Sequence, residues 1–207
     1  MSRSNLAIAL LIAQTLVCAP ASLAQNLTLS GDAPAVKAGD TWRWVRSDRR
    51  TGAKEAETLR VIKSITADKI EGTENDGPAL FFGDMNPIET PDWVRTPPPR
   101  FADYPLAVGK KWNLKYVQNS KTGNRSSSRI QYDAEVVGQE RVKVPAGEFD
   151  VFKIVYNGYW NNDTTKRNGA AKVTLWYAPA ARGAAKLEYE DGYNYNVTEL
   201  VELRLQP

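Results

Sequence analysis

The residue types most enzymes rely on are scarce in this chain. Its 207 residues include no histidine, and the single cysteine, Cys18, lies in an apolar N-terminal run. His-based triads, His metal sites and the commonest general base are thereby excluded. Beyond Cys18 so are thiol nucleophiles and thiolate metal ligands. No glycine-rich phosphate loop of the Walker or dinucleotide type occurs, and nothing implies a cofactor. Carboxylates, Lys, Arg, Tyr and Ser remain. A glycosidase needs two carboxyl groups facing each other across a cleft. Glu188 and Glu190 share one strand face, which alternation places outward in solvent. Glu199 interrupts the apolar series of the last strand, so it is expected either to pair with a Lys or Arg or to meet a ligand.

Two further groups could bind rather than react. Arg43, Arg46, Arg49, Arg50, Lys54, Arg60 and Lys63 put seven positive residues on the first hairpin, partly offset by Asp48, Glu55 and Glu57. They form either a solvated face or a contact for an anionic envelope polymer or lipid headgroup. Trp42, Trp44, Trp112, Phe152, Trp176 and Tyr195 recur on alternating strand faces, with Trp93 and Phe101 in a proline-rich stretch. Aromatic residues so placed either fill a core or line the concave face of a curled sheet, with Trp93 and Phe101 at its rim.

The elements that position these residues read as strands. Thr41–Arg46 alternates, Thr51-Gly52 marks a turn, and Ala56–Thr66 returns with Leu59, Val61 and Ile65 on one face. Trp112–Gln118 follows, then a strand with Ile130, Tyr132, Ala134 and Val136 on its inner face. Val142–Val144 leads into a Pro145-Ala146-Gly147 turn, where proline presets φ and glycine supplies a positive φ. Phe149–Tyr156 is apolar on both faces, which predicts burial on both sides. Val173–Tyr177 and Lys186–Glu190 are further strands, and Asp191-Gly192 is a hairpin signal. In the last strand Tyr193, Tyr195, Val197, Val201, Leu203 and Leu205 share one face.

The motif Gly39-Asp40-Thr41-Trp42 returns as Gly109-Lys110-Lys111-Trp112, and Thr51-Gly52 returns as Thr122-Gly123. Pseudo-repeats over 36–72 and 106–205 are the expectation. Between them residues 75–105 hold seven of the twelve prolines, with Phe81, Phe82, Trp93, Phe101 and Tyr104. A long ordered loop is predicted there, as a belt over the open end of the sheet or the rim of a site. The fold class is all-β: an antiparallel meander curled into a half-barrel or small barrel.

Arg3, the apolar run Leu6–Val17 and Ser22-Leu23-Ala24 have the layout of a cleaved secretory signal over residues 1–24. Residues 25–207 then form a single β-rich domain. Val17 before Cys18 argues against lipid attachment at that cysteine. No later stretch has the length of a transmembrane helix. The net charge of +3, with both signs mixed, points to no nucleic acid.

Val142-Lys143-Val144-Pro145-Ala146-Gly147-Glu148-Phe149, followed by Trp176-Tyr177-Ala178-Pro179 and Lys186-Leu187-Glu188, resembles a signature of uncharacterised bacterial exported β-proteins of the DUF3108 type. Ala180-Ala181-Arg182-Gly183 stands where that group has a compact Pro-Gly-x-Gly segment. The resemblance implies a periplasmic half-barrel and transfers no catalytic residue. The expected function is a non-enzymatic periplasmic or secreted protein that binds an apolar or amphipathic molecule, or serves as a scaffold. Its implied partners are a lipid, a glycan or an envelope protein. The alternatives are a carboxylate-based hydrolase of envelope glycans and an interaction domain that uses an exposed strand edge.

Overall fold

The computed structural model describes residues 29–123 and 125–207; the expected secretory signal over residues 1–24 and Cys18 lie outside them. Twelve strands form one closed antiparallel ring. They are β1 (Thr41–Asp48), β2 (Lys54–Ile65), β3 (Lys69–Glu74), β4 (Gly77–Phe82), β5 (Pro87–Glu89), β6 (Trp93–Thr96), β7 (Lys111–Ser120), β8 (Ser127–Val144), β9 (Gly147–Asn162), β10 (Asn168–Ala178), β11 (Gly183–Glu190) and β12 (Tyr195–Arg204). Each pairs with its sequence neighbours, and β1 pairs with β12 from Thr41↔Arg204 to Asp48↔Asn196.

That joint decides between the half-barrel and the small barrel in favour of the closed barrel. Three short strands, β4 to β6, run through the proline-rich segment expected to be irregular and bridge the gap between the two meanders. Proline is tolerated because Pro87 opens β5 and the pairing there is minimal, a single residue pair between β5 and β6. The longest stretch without strand there runs over 97–110, between β6 and β7. It packs inward: the Tyr156 hydroxyl donates to Phe101 O, and Asn86 exchanges two hydrogen bonds with the Ala102 backbone.

Alternation sends Trp42, Trp44, Ile62, Ile70, Phe81, Ile154 and Val136 inward, each at most 7% exposed. Outward positions carry charge instead. Arg43 pairs with Glu57 and Glu202, and Lys111 with Glu135. This is the reverse of the apolar outer band of a membrane barrel. Among the described residues no helix is long and apolar enough to cross a membrane.

Irregularities in the ladder decide which side chains face in. A register shift at Arg43/Trp44 sets Trp42 opposite Leu203 but Trp44 opposite Leu200. Past it Leu200, Thr198 and Asn196 face inward, and Val197, Glu199 and Val201 face outward. The single apolar face predicted for the last strand is thus divided by a bulge. A second shift at Val136/Gly138 precedes the point where the β8–β9 pair leaves the ring as a two-stranded arm. The arm tip is the predicted turn, with Val144 opposite Gly147 (φ 140°). It reaches β12 just past the last β11 pairing, where Ala146 N–H donates to Leu200 O at 3.0 Å. Val144 and Val151 join the core of Trp42, Phe81 and Trp176. This is why the stretch around Phe149–Tyr156 is apolar on both faces.

The two Gly-x-x-Trp segments make the same backbone bonds. Gly39 N donates to Ile62 O and Gly109 N to Val136 O, both at 2.8 Å; Ile62 N returns to Asp40 O, and Val136 N to Lys110 O. Both glycines have positive φ, 93° and 87°, which a side chain would strain. Their second residues differ. Asp40 is fully buried, paired with Arg182 at 2.8 Å, and accepts from the backbone N–H groups of Lys37 and Gln206. Lys110 is partly exposed and pairs with Asp103 at 2.9 Å.

Candidate functional site

All hairpin turns of one polarity gather at one end of the ring, and there the inward positions change character. On β1 the series Trp42, Trp44 ends in Arg46. On β7 Leu114 and Tyr116 give way to Gln118, on β8 Tyr132 and Ile130 to Ser128, and on β9 Ile154 and Tyr156 to Trp160 and Asn162. On β12 Leu200 gives way to Thr198 and Asn196. The same two-residue period that fills the core thus leaves hydrogen-bonding groups lining the mouth. They enclose a cavity of about 880 Å³, a size suited to a small organic ligand.

Its walls combine both chemistries. Trp93, Phe101, Tyr132, Trp160, Tyr189 and Tyr193 supply aromatic surface, and Gln118, Asn162, Asn194, Asn196 and Thr198 supply neutral donors and acceptors. Trp160 meets Tyr193 edge-on at 5.9 Å, and Arg167 lies over the Tyr193 ring at 5.7 Å. The Trp160 indole N–H is buried and has no hydrogen-bond partner among the described residues.

Two carboxyl groups reach the cavity, and each is engaged. Glu55 pairs with Arg46 at 3.0 Å. Asp191 closes the β11–β12 turn by accepting from Tyr193 N and Asn194 N (2.9 and 2.7 Å) and from the Tyr189 hydroxyl at 2.9 Å. Burial pushes the Asp191 pKa up, but the hydrogen bonds from Asn194, Tyr189 and Tyr193 outweigh it and hold the group below the usual carboxylate range. Asp191 is a turn-forming anion. No cluster of metal-ligating side chains occurs among the described residues.

Of the sequence candidates, Trp93 and Phe101 line this cavity. Trp42 and Trp44 lie in the closed half, stacked at 6.3 Å, and their indole N–H groups donate to Ala181 O and Ala184 O (2.7 and 2.8 Å). Phe152 is 1% exposed. Trp112 donates to Arg100 O at 3.0 Å and meets Tyr156 edge-on. Trp176 is covered by Lys153 and Lys186, with its indole N–H on Glu140 Oε1. Tyr195 faces outward beneath Arg50. Glu199 faces outward, between Val45 and Lys186 in the ladder. The fold therefore brings two of these nine to the mouth and distributes the other seven over the core and the outer wall.

Sequence reasoning missed Trp160, Tyr193, Arg167, Gln118 and Asn196. The available signal was the polarity of same-face residues in the last turn of each strand before a hairpin.

No protein-family model and no curated protein sequence matches the chain. Solved structures do. A candidate lipoprotein from Parabacteroides distasonis aligns with 18% identity over 84% of this chain and 98% of its own, with a TM-score of 0.56. A candidate exported protein with a YmcC-like fold from Bacteroides fragilis aligns with 14% identity over 85% of this chain and all of its own, with a TM-score of 0.57. At these identities the likeness is one of fold alone.

Proposed function

We propose that this is an extracytoplasmic, non-enzymatic binding protein that holds an amphipathic ligand in the mouth of its barrel. One observation carries the reading. Inward positions turn from apolar to hydrogen-bonding along several strands at once, and leave a half-open, aromatic-walled cavity of about 880 Å³. A barrel needing only stability gains nothing from a ring of amides facing inward around open space. Aromatic faces can take the apolar body of a ligand and the amides its polar groups. Export follows from the N-terminal signal pattern, and the charged outer wall suits an aqueous compartment.

Native mass spectrometry of protein purified from the periplasm without detergent, followed by solvent extraction, tests the reading. A bound small molecule that is lost from the Trp93→Ala, Trp160→Ala double variant is the expected result. An empty wild-type protein whose indole fluorescence answers to no envelope lipid or glycan extract would overturn it. For the scaffold alternative the closed ring leaves the β8–β9 arm, unpaired in the ladder beyond Glu135 and before Phe152 on its outer sides, as the strand edge a partner would use.

A further inference from the structure

Three arginines face inward, Arg46 at the mouth and Arg60 and Arg95 below it, and their partners differ. Arg46 is neutralised by Glu55 at 3.0 Å. Arg60 binds Glu74 through both Nε and Nη2 (2.9 and 2.5 Å) and lies over the rings of Trp44 and Phe81. Arg95 has no such partner. It sits on β6 opposite Gln118, donates from Nε to Gln118 Oε1 at 2.8 Å, and lies 5.6 Å from the ring of Phe101. Gln118 and Phe101 both line the cavity.

Among the described residues no ion pair or hydrogen bond takes up the two Nη groups of Arg95, nor are they sealed off from open space. Burial lowers its pKa from the ordinary arginine value, opposed by Tyr116 and Glu74, yet a guanidinium stays protonated. Glu74 is committed to Arg60. Tyr116, pushed up to about 12 by its own burial, remains neutral and offers no charge. At the rim Arg167 also lacks a carboxylate partner among the described residues and rests on Tyr193. Among the described residues one cation inside the barrel and one at its rim thus lack a carboxylate partner, and Asp191 is spent on a turn.

We infer that the mouth ligand is an anion whose carboxylate or phosphate group is bound by Arg95, beside Gln118 and Phe101 of the cavity wall, with its apolar or aromatic-stacking body against Trp93 and Trp160. This rests on the binding reading above and adds the chemical class. An inward cation left unpaired costs stability unless something compensates it. Two free Nη groups in a fixed fork match the two oxygens of a carboxylate or phosphate. Arg167 at the rim adds attraction on the way in.

The test titrates full-length mature protein with octanoate, octyl phosphate and octyl glucoside, each below its micelle concentration, by calorimetry and indole fluorescence. Octanoate or octyl phosphate should bind at least about tenfold tighter than the glucoside, the scale of one charge-assisted pair. Which of the two anions binds tighter separates a carboxylate from a phosphate ligand. Arg95→Gln should abolish the preference, and Arg95→Lys should keep part of it without the fork geometry. Equal binding of all three to wild-type protein, or an unchanged preference in a folded Arg95→Gln, overturns the anion assignment while leaving the cavity reading intact. Absence of binding by all three overturns both. The wild-type comparison decides the matter even where a variant does not fold.

Discussion

The two ends of the barrel share strands and alternation but not inward chemistry. At the closed end inward side chains interlock: Trp42 stacks on Trp44, Phe81 and Ile62 are at most 1% exposed, and the β8–β9 arm folds over them. At the mouth the same strands present Arg46, Gln118, Asn162 and Asn196 around open space. The difference teaches that one two-residue period can encode a foundation and a vessel in the same wall. Stability is then concentrated at one end, and the other is free to be polar.

Breaking this contrast begins at the closed end. Trp42→Ala should cost about 3–5 kcal/mol, the scale for emptying a well-packed aromatic site, read as a lowered midpoint in chemical denaturation. Asp40→Ala should come next, at about 3 kcal/mol, because it strands Arg182 and frees the backbone N–H groups of Lys37 and Gln206. Its counterpart Lys110→Ala, at a partly exposed pair, should cost about 1 kcal/mol or less. A loss from Lys110→Ala equal to that from Asp40→Ala would erase the asymmetry between the twin turns.

Alkaline titration probes the middle of the lumen. Burial, before any neighbouring charge, raises the pKa of Tyr104, Tyr116, Tyr132 and Tyr156, that of Tyr116 to about 12. Unfolded tyrosine ionises near about pH 10. Above that pH the unfolded chain releases protons that the folded chain keeps, so stability is full below pH 10 and falls as pH climbs toward 12. The share of the tyrosinate absorbance that belongs to these buried tyrosines should appear together with loss of β-sheet circular dichroism. Ionisation of all nine tyrosines with the sheet intact would mean that the lumen is wet throughout. The smallest effect belongs to the mouth: Trp160→Phe should change stability by less than about 1 kcal/mol, because the indole N–H it removes has no partner. A large loss there would make the mouth part of the foundation.

Local patterns carried much of this architecture. Alternation around Trp42, Tyr132 and Leu187, the Pro145-Ala146-Gly147 turn and the Asp191-Gly192 hairpin were all legible, because each depends on a few adjacent residues. Closure was not. It depends on β5 and β6, three and four residues long, too short to show a period and set among prolines that argue against strand. The inward face of β12 was hidden by a bulge that no composition announces, so Glu199 read as inward when it points out. The mouth was half legible: Trp93 and Phe101 stood out as aromatics in a proline-rich stretch. Gln118, Asn196 and Arg95 looked like ordinary surface residues until the ring placed them inside.

The β1–β12 joint has a kinetic consequence. Each other neighbouring pair joins strands consecutive in the chain and can zip as a local hairpin or turn. Thr41 and Arg204 must instead find each other across nearly the whole described sequence, a closure whose entropy is gained back only when the ring is otherwise assembled. Until then the chain is a curled ribbon with β1 and β12 as two open, sticky borders. The last event of folding is therefore also what ends the risk of joining one ribbon to another.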